Sequence, residues 1–228
     1  MREKIITYRE KWIMKDKRIW LLALGILLLF VGVFFAFKPM VESKVDEKKQ
    51  DAILNLIEDG HSEILVNISS NDEVDYYDLD DEKEAEISDE TEVISSVNGI
   101  GVLEIERIAL KLPVVEGATK ATLKVALGHV SESATIGEIG NCIIAGHRKY
   151  EYGLMFNRLD EIEVGDVIKY TNVDGNALNF KVYATTVIIP NDTSLFDYDD
   201  GQKKLTLLTC TPIKKATHRL LIQASLIE

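Results

Sequence analysis

Nineteen consecutive residues without a charge, Ile19 to Phe37, constrain this chain more than any other feature. As a helix, the run IWLLALGILLLFVGVFFAF is about 28 Å long, close to the hydrocarbon thickness of a bilayer. Uncharged runs of that length are rare in soluble cores, so this one is expected to span a membrane. Arg2, Lys4, Arg9, Lys11, Lys15, Lys17 and Arg18 precede it, against Lys38, Lys44, Lys48 and Lys49 behind it. The basic excess on the N-terminal side predicts a cytoplasmic N-terminus with the bulk of the chain outside, and Trp20 suits the inner interface. A cleavable signal peptide would have a shorter apolar region and a small-x-small site. None follows Phe37, so an uncleaved anchor is expected.

The formal net charge of −12 is local rather than general. Asp72 to Glu92 holds twelve Asp or Glu and one Lys, a net of −11, which leaves −1 for everything else. So acidic and apolar-poor a run is expected to be a solvated, extended spacer. It lacks the Gly-punctuated ligand spacing of an EF-hand loop, and the loops further on show no acidic cluster; no metal or cofactor is expected. No basic stripe is present, so nucleic acid is not expected as a partner. Between anchor and spacer, Val41 to Leu65 reads as partly helical, with Ile53, Leu54, Leu56 and Ile57 apolar but too few to form a core alone.

From about Asn98 the texture changes to short β-branched runs separated by turn residues. Strands are expected at Gly101–Ile105, Leu110–Val115, Asn141–Ala145, Asp166–Tyr170, Ala177–Ile189, Leu205–Cys210 and Arg219–Leu226. Asn172 to Asn176 reads as a hairpin turn, and Thr119–Leu127 as a helix. Many short strands with few helices predict a closed barrel or a sandwich. The expected organisation is a basic N-terminus (1–18), an anchor (19–37), a stalk with its acidic spacer (38–97) and a mostly β domain (98–228).

Two cysteines are too few for a disulfide framework, although a single bridge between Cys142 and Cys210 is chemically allowed outside the cell. Cys210 closes the strand Leu205-Thr-Leu-Leu-Thr-Cys210 just before Pro212, which cannot continue a ladder, so its thiol can face a groove. Alternation places Cys142 in the barrel wall as a small buried hydrophobe. A thiol nucleophile needs a base or a cation to form its thiolate. His61 lies before the spacer, away from the β domain. His147 follows a strand in Ala145-Gly-His147-Arg148, where Gly146 permits a sharp turn. His129 sits in the similar Leu127-Gly-His129-Val130, and His218 adjoins Arg219. Adjacent strand residues face opposite ways, so His218 and Arg219 cannot both aim at one site. Spacing alone does not choose among the three histidines. Arg219, nine residues beyond Cys210 on the following strand, can lie beside it and donate to a developing oxyanion.

Thr206-Leu-Leu-Thr-Cys210, the downstream Arg219 and Ala145-Gly-His147-Arg together resemble the sortases, whose signature is a TLxTC strand, an Arg on the next strand and a His after an earlier one. Lys111-Leu-Pro-Val-Val-Glu-Gly117, and Phe156-Asn-Arg-Leu-Asp160 with Gly165-Asp166, fit the same family, and the resemblance covers about Asn98 to Glu228. It implies an eight-stranded β-barrel with short helices, with Cys210 as nucleophile, His147 as acid/base and Arg219 as the cation of the transition state. It thereby selects His147, which the residues themselves leave open.

The resemblance further implies cleavage of an LPxTG-like sorting signal on exported proteins through a thioester. Transfer then goes to an amine such as that of a peptidoglycan precursor. Class D members are the most similar. Cys210-Thr-Pro212 and Thr217-His-Arg-Leu220 also resemble the pilin-polymerising class C. Those usually carry an Asp-Pro-aromatic lid and often a second apolar span; here no proline follows an Asp and no such span precedes Glu228, which points away from pilin assembly. A cysteine protease, a non-catalytic binding barrel on a stalk and regulation by a Cys142–Cys210 disulfide are the competing expectations.

Overall fold

Alternating apolar and polar residues in the C-terminal half become strands because each can bury one face while the other meets solvent or a second layer. The computed structural model describes residues 20, 24–34, 44, 47–69, 92–190, 192 and 201–227. Among them are nine strands: β1 (Glu63–Ser69), β2 (Glu92–Ile105), β3 (Leu110–Glu116), β4 (Leu127–His129), β5 (Gly140–Ala145), β6 (Val167–Asn172), β7 (Ala177–Ile188), β8 (Lys203–Thr211) and β9 (His218–Ile227). Within the same unit as the strands lie two α-helices, α1 (residues 47–58) and α2 (Lys120–Val125).

Strands pair in the order β1-β2-β3-β4-β5-β8-β9-β7-β6, and β6 returns to β2. That last pairing closes β2 to β9 into an eight-stranded barrel, with β1 attached outside the ring. The closure depends on the length of β2. Its first half pairs with β1 (Glu92↔Ser69 to Asn98↔Glu63) and its second half with both β3 and β6. A register shift between Gly99 and Gly101 separates the two halves.

Side-chain parity sorts the wall into two faces. Cys142 and Ile144 of β5, Leu205 and Leu207 of β8, and Leu220 and Ile222 of β9 belong to the interior cluster. Their neighbours Ile143, Ala145, Leu208 and Leu221 form a second cluster on the outer face, with Leu123 of α2. Thr119 caps α2: its Oγ1 accepts from Thr122 N at 3.2 Å, and Thr122 Oγ1 accepts from Thr119 N at 3.0 Å. The helix is therefore shorter than the expected Thr119–Leu127, and Leu127 instead opens β4. The hairpin expected at Asn172–Asn176 is present. Asn172 Oδ1 accepts from the backbone N–H groups of Asp174 (3.1 Å) and Asn176 (2.8 Å), and Gly175 takes φ +82°.

The chain divides into two units, Met1–Asp46 and Glu47–Glu228. In the first, residues 24–34 are helical with exposed apolar side chains, and the rest of the 19–37 run, apart from Trp20, lies outside the described residues. Among the described residues no helix is long and apolar enough to cross a membrane. The acidic run also lies outside them, apart from Glu92.

The second unit starts well before the boundary at Asn98 that composition suggested. Ile53 and Ile57 of α1 and Ile64 and Val66 of β1 are buried against Val97, Val102 and Val115. Residues read as stalk thus cover one outer flank of the barrel. Each such side chain contributes about 1.5–3 kcal/mol when fully buried.

Candidate active site

Pro212 has no N–H to give a ladder, and β8 ends one residue before it, at Thr211. Cys210 is the penultimate residue of that strand and is partly exposed. On one side its partner across the antiparallel ladder is Arg219 of β9. On the other side β5 runs parallel to β8, with Ala145 paired to Leu208. The pairing carries on beyond β5: Gly146 N donates to Leu208 O at 3.0 Å, and Thr209 Oγ1 donates to Gly146 O at 2.7 Å. His147 follows Gly146 in the loop beyond β5, on the side of β8 opposite to β9.

Parity puts Cys210 and Arg219 on one face: counting in twos from Leu208 and Leu221 of the outer cluster leads to Cys210 and Arg219, and Ala145 of the same cluster lies two residues before His147. Leu208, Leu221 and Ala145 form the apolar floor behind them. The arrangement can lower a thiol's pKa through a neighbouring cation, move a proton through an imidazole and stabilise an oxyanion through a guanidinium.

Arg219 is 2% exposed, an unusual burial for a cation. Its Nη1 donates to Ala216 O at 3.0 Å and to His218 O at 3.3 Å, so the turn between β8 and β9 holds the guanidinium beside Cys210. His147 is half-buried, and its carbonyl accepts from Phe156 N at 3.0 Å, which folds the following loop back under it. Gly146 is needed for a different reason from the sharp turn expected of it. A Cβ there would lie 2.5 Å from Cδ2 of Phe156 and 2.7 Å from Cδ2 of Leu127, so the glycine allows close packing beneath the site.

The other candidates lie elsewhere. His129 is buried inside β4, with Nδ1 2.9 Å from Glu116 Oε2 and Nε2 3.1 Å from Ala134 O. His218 is exposed and pairs across the ladder with Thr211; its Nδ1 is 2.9 Å from Thr217 Oγ1, on the face opposite Arg219. His61 is exposed in the turn between α1 and β1. Cys142 is fully buried in the barrel interior, where desolvation and then the charge of Glu116 push its thiol pKa far up. Both cysteines are free thiols, and parity puts them on opposite faces of the wall, which rules out a bridge between them in this fold. Among the described residues no cluster of His, Cys, Asp and Glu could hold a metal ion. A cavity of about 550 Å³ opens at the far end of the barrel, by Gly99, Ile136 and Asn172, and none of the three site residues lines it.

Sequence reasoning missed Arg148, which carries a buried guanidinium into the same end of the barrel. Its only signal was its place directly after His147.

Comparison with known proteins shows the family. A model of the sortase domain matches residues 103–227. Sortase A of Bacillus anthracis is 27% identical over 218 residues, covering 94% of this chain and 97% of its own length. Sortase D of Bacillus subtilis (strain 168) is 31% identical over 112 residues, 49% of this chain and 54% of its own. Among solved structures, sortase A from Corynebacterium diphtheriae superposes with a TM-score of 0.55 at 33% identity, over 58% of this chain and 62% of that one. The Clostridium perfringens sortase D5 transpeptidase gives 0.52 at 33% identity, over 57% of this chain and 80% of that one.

Proposed function

This chain belongs to the sortase family of cysteine transpeptidases, and from that premise we propose that it joins exported proteins to a cell-surface amine, using Cys210, His147 and Arg219. The observation that supports the reading is the cross-strand pairing of Cys210 with Arg219, with His147 in the loop two residues past Ala145, the residue paired to Leu208.

Cys210 Sγ, as thiolate, attacks the carbonyl carbon of the Thr–Gly bond in an LPxTG-like signal. The carbonyl oxygen takes the negative charge, and the Arg219 guanidinium donates to it. As the C–N bond breaks, His147 gives its proton to the departing amine, leaving a thioester on Cys210. An acceptor amine, such as that of a peptidoglycan precursor, then attacks the thioester and loses a proton to His147. Cys210 leaves as thiolate and the imidazolium is restored. The burial of Arg219 supports its part, because a charge in low dielectric stabilises an oxyanion more than a solvated one does.

The apolar run Ile19–Phe37 and the basic excess before it support a single-pass anchor, a cytoplasmic N-terminus and a catalytic barrel outside the cell. The acidic spacer would then act as an extended tether. The absence of any Asp-Pro pair favours anchoring of single proteins, as expected of a class D enzyme, over pilin polymerisation.

The test uses the full chain in detergent, since α1 and β1 cover the barrel flank. It is incubated with LPxTG-type peptides and triglycine and read by mass spectrometry. An amide product carrying triglycine, absent in Cys210→Ala, is expected. Hydrolysis alone would instead favour a protease, and no reaction with a free Cys210 thiol would favour a binding barrel. In intact cells, a membrane-impermeant thiol reagent should label Cys210; protection until lysis would overturn the external placement.

A further inference from the structure

Arg148 follows His147 directly, but its side chain takes a different course. Its guanidinium side chain is 4% exposed and meets acceptors from three segments. Nη1 donates to Thr211 Oγ1 at 2.9 Å, Nη2 pairs with Asp160 Oδ1 at 2.8 Å, and Nε reaches Asn157 O at 3.4 Å. Thr211 is the residue after Cys210, and Asp160 belongs to the 3-10 turn Leu159–Glu161. Asn157 is itself buried and fastens the same loop, its Nδ2 donating to Lys149 O at 2.7 Å.

We propose that Arg148 is a positioning residue that clamps the loop carrying His147 to the strand end carrying Cys210. The inference rests on the catalytic reading above and adds a part to it. His147 lies beyond the end of β5, so the strand ladder alone does not set its distance from the thiol. Arg148 ties the next residue of that loop to the next residue of β8. Parity places Arg148 and Thr211 on the face opposite Cys210, so the clamp works through the backbone and touches no substrate. The planar fork matters because it serves a hydroxyl and a carboxylate at once, with fixed angles that an ammonium does not reproduce.

The experiment uses the full-length chain with Arg148→Lys, Thr211→Val and both together. Thr211→Val removes the acceptor oxygen at nearly constant volume. Each single variant is expected to lower kcat by roughly tenfold to a hundredfold, the scale of a misplaced catalytic group, with KM little changed. The pH profile of Cys210 alkylation by iodoacetamide should shift in both, and the double variant should be no worse than the poorer single one. Unchanged kcat and alkylation, losses that multiply in the double variant, or losses that merely follow Tm would each overturn the clamp. If Arg148→Lys does not fold, the alkylation profile of Thr211→Val decides. Alkylation needs no peptide, so it still tests the clamp if the wild-type chain turns over no sorting signal, a result that counts against the catalytic reading instead.

Discussion

Two short segments of this chain look alike and end differently. Leu127-Gly-His129 and Ala145-Gly-His147 both bring a glycine and a histidine to the end of a β run, and they lie side by side, with Gly128 paired to Ala145. Both glycines are required by close packing: a Cβ on Gly128 would sit 2.6 Å from Gly117 O, and one on Gly146 2.5 Å from the Phe156 ring. The histidines part company because the strands run antiparallel. His129 stays inside β4, where its ring joins Glu116 of β3 to the loop at Ala134. Ser133 reinforces this join, with Oγ accepting from Ile143 N at 2.9 Å and donating to Val130 O at 2.7 Å. His147 lies past the end of β5, in the loop that follows it. One histidine is tied into the fold and the other is the one proposed for the reaction, and strand direction separates them.

The largest expected break in this comparison comes at the reactive end. Cys210→Ala should abolish the acyl-enzyme, and His147→Asn should lower transpeptidation by roughly 1,000-fold, within the range of general acid–base catalysis. Both should melt as the wild type does, as checked by peptide kinetics beside thermal unfolding. A His147→Asn enzyme of near-normal rate would mean that the wrong histidine was assigned.

Arg219→Lys should fold and lose roughly 100-fold in kcat/KM, as expected when an oxyanion donor is replaced by one of different geometry. Turnover close to wild type in steady-state assays would remove Arg219 from the mechanism.

His129→Ala should do the reverse of His147→Asn. It removes a buried ring from between the partly exposed Glu116 carboxylate and Ala134 carbonyl, at a cost of about 0.5–3 kcal/mol in unfolding free energy. Folded enzyme should keep its kcat. Denaturant titration with activity measured on the folded fraction separates the two effects; loss of kcat at full foldedness would give His129 a share in catalysis.

The smallest effect should come from Cys142→Ser, which keeps activity. Burial raises the Cys142 thiol pKa, so this group stays neutral and unreactive at pH values where Cys210 is alkylated. Peptide mapping of the native protein after iodoacetamide should find the label on Cys210 alone. Label on Cys142 would show that the barrel wall opens.

Most of the barrel was legible beforehand, because a long alternating run such as that of β7 carries its own periodicity and a short apolar run such as that of β8 reads as a strand buried on both faces. β4 was not, since three residues cannot display a period of two. β1 was not, because Glu63–Ser69 has a face to bury only once the first half of β2 is laid beside it. The stalk reading failed at Ile53 and Ile57 for a related reason: a few apolar positions on one helix do not announce the surface they will cover. The neighbourhood of Cys210 and Arg219 was readable from strand spacing, whereas His147 was selected by family resemblance. Arg148 went unseen, because an arginine is usually exposed and nothing in the text shows that three acceptors will surround this one.

By itself the sequence determined the local events: an uncharged run of bilayer length, a concentration of acidic charge, strands of β-branched and apolar residues, and a thiol near a strand end closed by a proline. Those follow from interactions within a few residues of each other. Only the tertiary structure decided what surrounds His129 and His218, which cysteine is walled in, and how far the folded unit reaches toward the N-terminus. Those depend on which strands pair, in which direction and in what register. Pairing is set by burying apolar faces contributed by distant parts of the chain, so no single stretch of residues carries it.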